Sequence, residues 1–264
     1  MSKLWILSDL HLENAPYPDA FDPVRPDFDV LVCPGDVWQG RTDLGFATLR
    51  RLAGDKPVVA VMGNHEHWNG EVEENLTEAH LWAQANDVTL LEGEETTIAG
   101  TRFVGATLWT DYALAGPAVD RRAETGEAIM VRHDGGEHWF TAADATTLHE
   151  AARAKLAELI AAHDDPAVSL VVVTHHAPHP DCLDAELIGR WAAGNCASDL
   201  SSLTDTDRIA LWAHGHVHSS LDIRRPASPE LNGRSRTGTR LVRNPAGSRF
   251  ENAHFDESLV IEVG

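Results

Sequence analysis

Five apolar, strand-like runs in this chain each stop at residue types that bind metals: Asp9 and His11, Asp36, Asn64 and His65, His175, and His216 and His218. Turn chemistry ends one strand in an aspartate often enough, but five repeats of the pattern call for a common cause. A set of parallel strands that present their carboxyl ends to one site supplies that cause, because open α/β sheets place ligands there. The central run is Asp29-Val30-Leu31-Val32-Cys33, which Pro34-Gly35 ends and Asp36 follows. Asp36 is read as a carboxylate shared by two metal ions.

Each run has its own local logic. Residues 3–8 lead into Asp9-Leu10-His11, and residues i and i+2 of an extended chain share a face, so Asp9 and His11 can serve one ion. The same spacing puts His216 and His218 on one face of Gly215-His216-Val217-His218, with Gly215 turning the chain away from His214. The run 57–62 ends in Gly63-Asn64-His65-Glu66-His67, where Gly63 is expected to let the backbone turn sharply. Asn64 and His65 are neighbours whose side chains diverge, so their roles split: an amide oxygen for a divalent ion, and a proton donor. The run 168–173 ends in Thr174-His175-His176-Ala177-Pro178. One of the two histidines is a candidate ligand; the other either contacts substrate or fills space.

The rest of the chain reads as scaffold. Helices are expected over about 43–53 with Thr42 as N-cap, over 71–86, and over 142–163 with Thr141 and Asp144 as a capping box. Short strands at 88–91, 96–98 and 101–106 suggest a second sheet packed on the first, and 221–223, 239–242 and 258–263 read as closing strands. A further helix is expected within 179–208, and residues 12–28 and 225–238 read as loops. Residues 107–140 carry Trp109, Tyr112, Trp139 and Phe140 among Gly, Asp and Arg, and are long for a connection, so a lid-like insert over the site mouth is expected. His133 and His138 lie in it without a strand end beside them and read as surface residues.

Composition narrows the function. The chain of 264 residues, 43% of them apolar, suits a single domain with a sizeable core, and no apolar run approaches a membrane span of about 20 residues. Met1-Ser2-Lys3-Leu4-Trp5 runs straight into a strand, so no export signal is expected, and the odd count of three cysteines favours reduced thiols in a cytoplasmic protein. A formal net charge of −20 repels polyanions, which argues against a large nucleic-acid footprint. Carboxylate, amide and imidazole ligands without thiolate suit manganese, iron or zinc. Two such ions lie about 3.5–4 Å apart in binuclear sites, and a carboxylate is needed between them.

Asp9-Leu10-His11, Gly35-Asp36, Gly63-Asn64-His65-Glu66, His175 and Gly215-His216-Val217-His218 stand in the order and spacing of five motifs, and in this the chain resembles the calcineurin-like metallophosphoesterase superfamily. The resemblance runs from residue 9 to residue 218 with every motif intact. It implies an α/β fold, a four-layer α-β-β-α sandwich of two mixed sheets flanked by helices. It implies that Asp9, His11 and His218 hold one metal with Asp36, and that Asn64, His175 and His216 hold the second with Asp36. It also implies that a hydroxide bridging the metals attacks phosphorus of a small phosphodiester or phosphomonoester while His65 assists the leaving oxygen. Asp36 and His65 are thus the expected catalytic residues, and Asn64, His65 and His176 the expected substrate contacts. The competing readings are a phosphoprotein phosphatase, a nuclease, and a non-catalytic binding protein on the same fold.

Overall fold

The computed structural model describes residues 1–264 apart from 117–119, 121, 123–124, 134–135 and 227–237, together with the side chain of residue 133. In chain order the strands and helices are β1 (Ser2–Ile6), β2 (Val30–Cys33), α1 (Thr42–Ala53), β3 (Val58–Ala60), α2 (Val72–Ala85), β4 (Thr89–Leu90), β5 (Glu94–Ile98), β6 (Thr101–Ala106), β7 (Met130–His133), β8 (Gly136–Trp139), α3 (Ala142–Ala161), β9 (Ser169–Thr174), α4 (Trp191–Cys196), α5 (Ser201–Thr204), β10 (Ile209–His214), β11 (Leu221–Arg224), β12 (Arg240–Arg243) and β13 (Val260–Val263). They form two mixed sheets, β13-β1-β2-β3-β4 and β11-β12-β10-β9-β6-β5, and a separate β7-β8 hairpin. β1 to β4 run parallel, as do β12, β10, β9 and β6, and the antiparallel strands β13, β11 and β5 lie at the edges.

The period of two along the strands builds the layers. Leu4, Ile6, Val30, Val32 and Val59 of the first sheet meet Phe103, Val171, Val173, Leu211 and Val242 of the second in a dry core between the sheets. The alternate residues Trp5, Leu31, Cys33, Val58 and Ala60 face outward and pack under Phe46, Leu49 and Leu52 of α1 and Ala79 and Ala83 of α2. On the far side Val104, Leu170, Val172 and Trp212 pack under Leu156 and Ile160 of α3. Both faces of each sheet are covered, which explains why the central strands read as continuous apolar runs. Fully burying one such side chain contributes roughly 1.5–3 kcal/mol.

Two expectations need correction here. Thr42 is the first residue of α1 and Arg41 occupies the N-cap without a capping side chain. The strand near 88–91 joins the first sheet as β4; only β5 and β6 open the second. The capping box of α3 is present: Thr141 Oγ1 accepts from the Asp144 amide, and the Asp144 carboxylate accepts from the Thr141 amide at 2.8 Å. The long insert contains the β7-β8 hairpin and a small core of its own, in which Trp109, Tyr112, Ile129 and Phe140 pack with Trp68, Val72 and Leu148. His138 is a half-exposed partner of Asp144 at 3.0 Å, and the side chain of His133 lies outside the described residues, as does most of the loop 225–238. Cys33, Cys182 and Cys196 are free thiols. Among the described residues no helix is long and apolar enough to cross a membrane.

Candidate metal centre

The carboxyl ends of β1, β2, β3, β9 and β10 meet at one end of the sandwich, and the loops after them are stitched to one another. The Asp9 and His11 amides donate to the Gly35 and Asp36 carbonyls at 3.0 and 3.1 Å, the Gly215 amide donates to the His175 carbonyl at 2.9 Å, and the His216 amide donates to Asp9 Oδ1 at 2.8 Å. Asp9, His11, Asp36 and His216 all have positive φ, between 43° and 66°. Non-glycine residues held in this region cost roughly 1–3 kcal/mol each, and such residues cluster at functional sites. The i, i+2 reading therefore fails in its geometry: Asp9 and His11 converge through left-handed backbone, not through an extended chain, and His216 and His218 turn to different neighbours.

Among the described residues, three sets of metal-ligand side chains bring one ligand atom each within 4.8 Å of one another: Asp9, His11 and His218; His11, Asp36 and His65; and Asp36, His175 and His216. Asp36 belongs to the second and third sets and reaches His11 of the first. Its Oδ2 is 3.5 Å from His11 Nε2 and 3.3 Å from His175 Nε2, while Oδ1 accepts from the His65 amide at 3.0 Å. Asn64 Oδ1 joins the third set, 2.9 Å from His175 Nε2 and 3.1 Å from His216 Nδ1. His218 Nε2 lies 3.8 Å from Asp9 Oδ1, with the ring 29% exposed at the rim.

The donor chemistry fits metal ions. Asp9 Oδ2 and His11 Nε2 are buried with no hydrogen-bond partner among the described residues, a costly arrangement unless a cation satisfies them. His175 Nδ1 points at the Pro34 carbonyl (2.8 Å), His11 Nδ1 at Glu13 (3.0 Å) and His218 Nδ1 at Glu251 (3.0 Å), which turns the opposite nitrogen of each ring inward. Ligating histidines are held in this way in metal sites. Asn64 Oδ1, His175 Nε2 and His216 Nδ1 then face one another at 2.9–3.1 Å.

In the protein without metal, protons balance the charge. Burial disfavours the His175 cation, but Asp36 and Asp9 outweigh burial and raise it to about 10. Burial likewise opposes the His11 cation, and Glu13, Asp36 and Asp9 raise it to about 9. Burial opposes the Asp36 charge too, yet His175, His65 and His11 hold its carboxyl well below the usual range. Burial, with His176 and His175 alongside, pushes His216 well down. Burial also lowers His65, helped by His11 and opposed by Asp36.

Close packing fills the remaining space. A Cβ on Gly63 would sit 2.1 Å from Asp36 Oδ1 and 2.7 Å from His175 Cε1, so glycine is needed there for room and not for the sharp turn expected of it. A Cβ on Gly215 would sit 2.5 Å from Asp9 Oδ2. The buried Glu66 carboxylate accepts from the amides of Asp36, Val37 and Gly63 at 2.7–2.8 Å, which bolts the second and third motif loops together.

His176 corrects the sequence reading. It is 1% exposed, contacts the Thr107 carbonyl at 3.3 Å, and its ring lies between Trp109 (5.5 Å, stacked) and His216 (4.4 Å). It backs His216 and is buried there, the space-filling alternative of the sequence reading. His214 is also buried, away from the ligand sets, and burial with Arg243 nearby lowers it to about 3. His65 lies stacked on Trp68 (4.2 Å) and edge-on to His11 (4.6 Å), half-buried at the mouth. Sequence reasoning assigned no role to Glu13, Glu66, Trp68, Glu127 or Glu251. Glu66 stood inside a motif and Glu13 two residues from a ligand, whereas Glu127 and Glu251 reach the site only through the fold.

Two covered mixed sheets with a shared carboxylate at their strand ends define an α-β-β-α sandwich protein with a site suited to two metal ions. The chain belongs to the calcineurin-like phosphoesterases, a family of hydrolases, whose family model matches residues 2–220. The crystal structure of phosphopantetheinyl hydrolase (PptH) from Mycobacterium tuberculosis is similar with a TM-score of 0.69 at 18% identity, over 99% of this chain and 95% of that one, a likeness of fold. No curated protein is significantly similar in sequence.

Proposed function

We propose that the protein is a phosphoester hydrolase that works with two divalent or transition metal ions, manganese, iron or zinc, on a small phosphodiester or phosphomonoester. The observation that carries this reading is the position of Asp36 between two complementary ligand sets, with unpartnered ligand atoms beside it. Asp9, His11, His218 and Asp36 would hold one ion, and Asn64, His175, His216 and Asp36 the other. Bound there, two such ions polarise a phosphoryl oxygen and supply a nucleophilic water at neutral pH.

The chain's own residues set the rest. Glu13 and Glu251 hold the tautomers of His11 and His218. His65 stands at the mouth, where its half-buried ring can donate a hydrogen bond to the leaving oxygen of a bound ester. Burial keeps that ring neutral, so it donates as an imidazole, a weaker acid than an imidazolium. The net charge of −20 selects against long polyanions and for small esters. The insert limits substrate size, a role supported by the packing of Trp109 and Ile129 against Trp68. The free thiols support a cytoplasmic location.

The test is a phosphoester panel with metal-reconstituted protein: cyclic nucleotides, nucleotides, sugar phosphates, aryl mono- and diesters, and, because the Mycobacterium tuberculosis protein is a phosphopantetheinyl hydrolase, a phosphopantetheinyl ester. Hydrolysis of small esters that Asp36→Asn abolishes is expected. Two bound metals with no hydrolysis of any member would favour a binding protein on this fold.

A further inference from the structure

We infer that Glu127, contributed by the insert and outside all five motifs, is a positioning residue of the metal centre: it fixes which atom of Asn64 faces the metals and locks Trp68 over His65. The inference rests on the reading of Asn64 as a ligand. Glu127 is 9% exposed, and its Oε2 accepts from Asn64 Nδ2 at 2.9 Å and from Trp68 Nε1 at 2.6 Å. One buried carboxylate oxygen therefore serves two side chains of the third motif loop, and hydrogen bonds to a carboxylate are roughly twice as strong as neutral ones.

The consequence for Asn64 follows from its symmetry. A carboxamide presents an oxygen on one side and an NH2 on the other, and a half-turn exchanges them. With Nδ2 held by Glu127, Oδ1 must face His175 Nε2 and His216 Nδ1. With the acceptor removed, Nδ2 loses its anchor and the half-turn, which would aim two N–H donors at the place where a cation should bind, becomes easier. The consequence for Trp68 is one of plane. Its indole stacks on His65 at 4.2 Å with 18° between the rings, so pinning Nε1 sets the orientation of the His65 ring as well.

The carboxylate arrives on a braced segment. The Asn69 amide donates to the Ala128 carbonyl at 2.7 Å, Met130 N to Gly70 O at 2.9 Å, Thr125 N to Phe140 O at 3.0 Å and Phe140 N to Ile129 O at 3.0 Å. The Glu127 amide itself donates to Thr125 Oγ1 at 3.2 Å. The first two bonds tie the insert to the loop after His65, and the others brace the insert within itself, all without help from the Glu127 side chain. A carboxylate buried there only to hold the insert would duplicate them.

The test needs no turnover. The full-length metal-free protein and its Glu127→Ala, Glu127→Gln and Trp68→Phe variants are titrated with MnCl2 by calorimetry, and the indole N–H resonances are recorded by NMR. Trp68→Phe identifies the Trp68 signal, which is expected downfield in the wild type. Glu127→Ala should lower Mn2+ affinity about 10–100-fold, as loss of an outer hydrogen-bond partner does in metal sites, and should move the Trp68 signal upfield. Glu127→Gln keeps an acceptor oxygen and should recover most of the affinity, with an intermediate resonance. A folded Glu127→Ala protein with wild-type affinity and an unmoved Trp68 signal overturns the inference. Should that variant not fold, Glu127→Gln decides: an upfield Trp68 signal supports the inference and an unmoved one overturns it. A protein inactive on every phosphoester would refute the proposed function and leave these readings intact.

Discussion

Loading the centre at pH 7 should expel close to two protons. His11 at about 9 and His175 at about 10 are both protonated at that pH in the metal-free protein, and a nitrogen that ligates a metal cannot keep its proton. Stripping both costs about 7 kcal/mol at pH 7, taking 1.36 kcal/mol for each pH unit between the solution and each group. The affinity for each ion should therefore rise roughly 10-fold per pH unit, and the overall two-ion constant roughly 100-fold, until pH approaches 9, and more slowly to 10. The perturbation is Asp36→Asn, which removes the carboxylate 3.5 and 3.3 Å from the two ring nitrogens. His175 should then fall toward its ordinary value, while His11 keeps Glu13 and stays partly raised. The variant should release fewer protons and show a flatter pH slope, even as its affinity falls for want of the shared ligand. The assay is calorimetric titration with MnCl2 in buffers of different ionisation enthalpy. The same histidines also stabilise the metal-free fold: their folded values lie above the ordinary 6.5, so the contribution is complete below pH 6.5 and disappears as pH rises through 9 to 10. Release of less than half a proton by the wild type, or an Asp36→Asn protein with two metals and an unchanged slope, would refute this reasoning.

Gly63→Ala would thrust a Cβ to 2.1 Å from Asp36 Oδ1 and should cost about 1–3 kcal/mol in urea unfolding along with metal content by emission spectrometry; an equally stable, fully loaded variant would show that the loops can give way. His175→Ala should lower Mn2+ affinity sharply, whereas His176→Phe, which keeps a ring between Trp109 and His216, should change affinity little and leave the Michaelis constant alone; the opposite ranking would reverse the two assignments. His67, buried and held down to about 4, binds its proton more weakly folded than unfolded, so stability falls as pH drops from 6.5 toward 4, and His67→Phe should flatten that acid limb by about 3 kcal/mol in denaturant titrations at pH 4 and 7. His65→Ala should lose more on phenyl than on nitrophenyl phosphoesters, by up to ~10²–10⁴-fold for the poorest leaving group, and parallel slopes across the graded series would leave the ring a placing role only.

The sequence by itself determined the strands and their ends. Unbroken apolar runs can be satisfied only by burial on both faces, and the polar residue that stops each run must lie at a sheet end, so Asp9, Asp36, Asn64, His175 and His216 were legible as one set. The capping box of α3 was legible for the same reason: its signal is local, spanning Thr141 to Asp144. What only the tertiary structure decided lies between segments distant in the chain. The division of His216 and His218 between neighbours depends on left-handed backbone at His216, held by the Asp9 carboxylate 207 residues away. The demand for glycine at Gly63 comes from Asp36 and His175, which no local pattern could place beside it. His176 sits behind His216 and away from the mouth because Trp109, from the insert, occupies its other side. Glu127 reaches Asn64 across 63 positions on a segment with no motif of its own. Strand ends are written in short-range alternation of apolar and polar residues, but the partners that aim a ligand are chosen by which loops the two sheets bring to the same end.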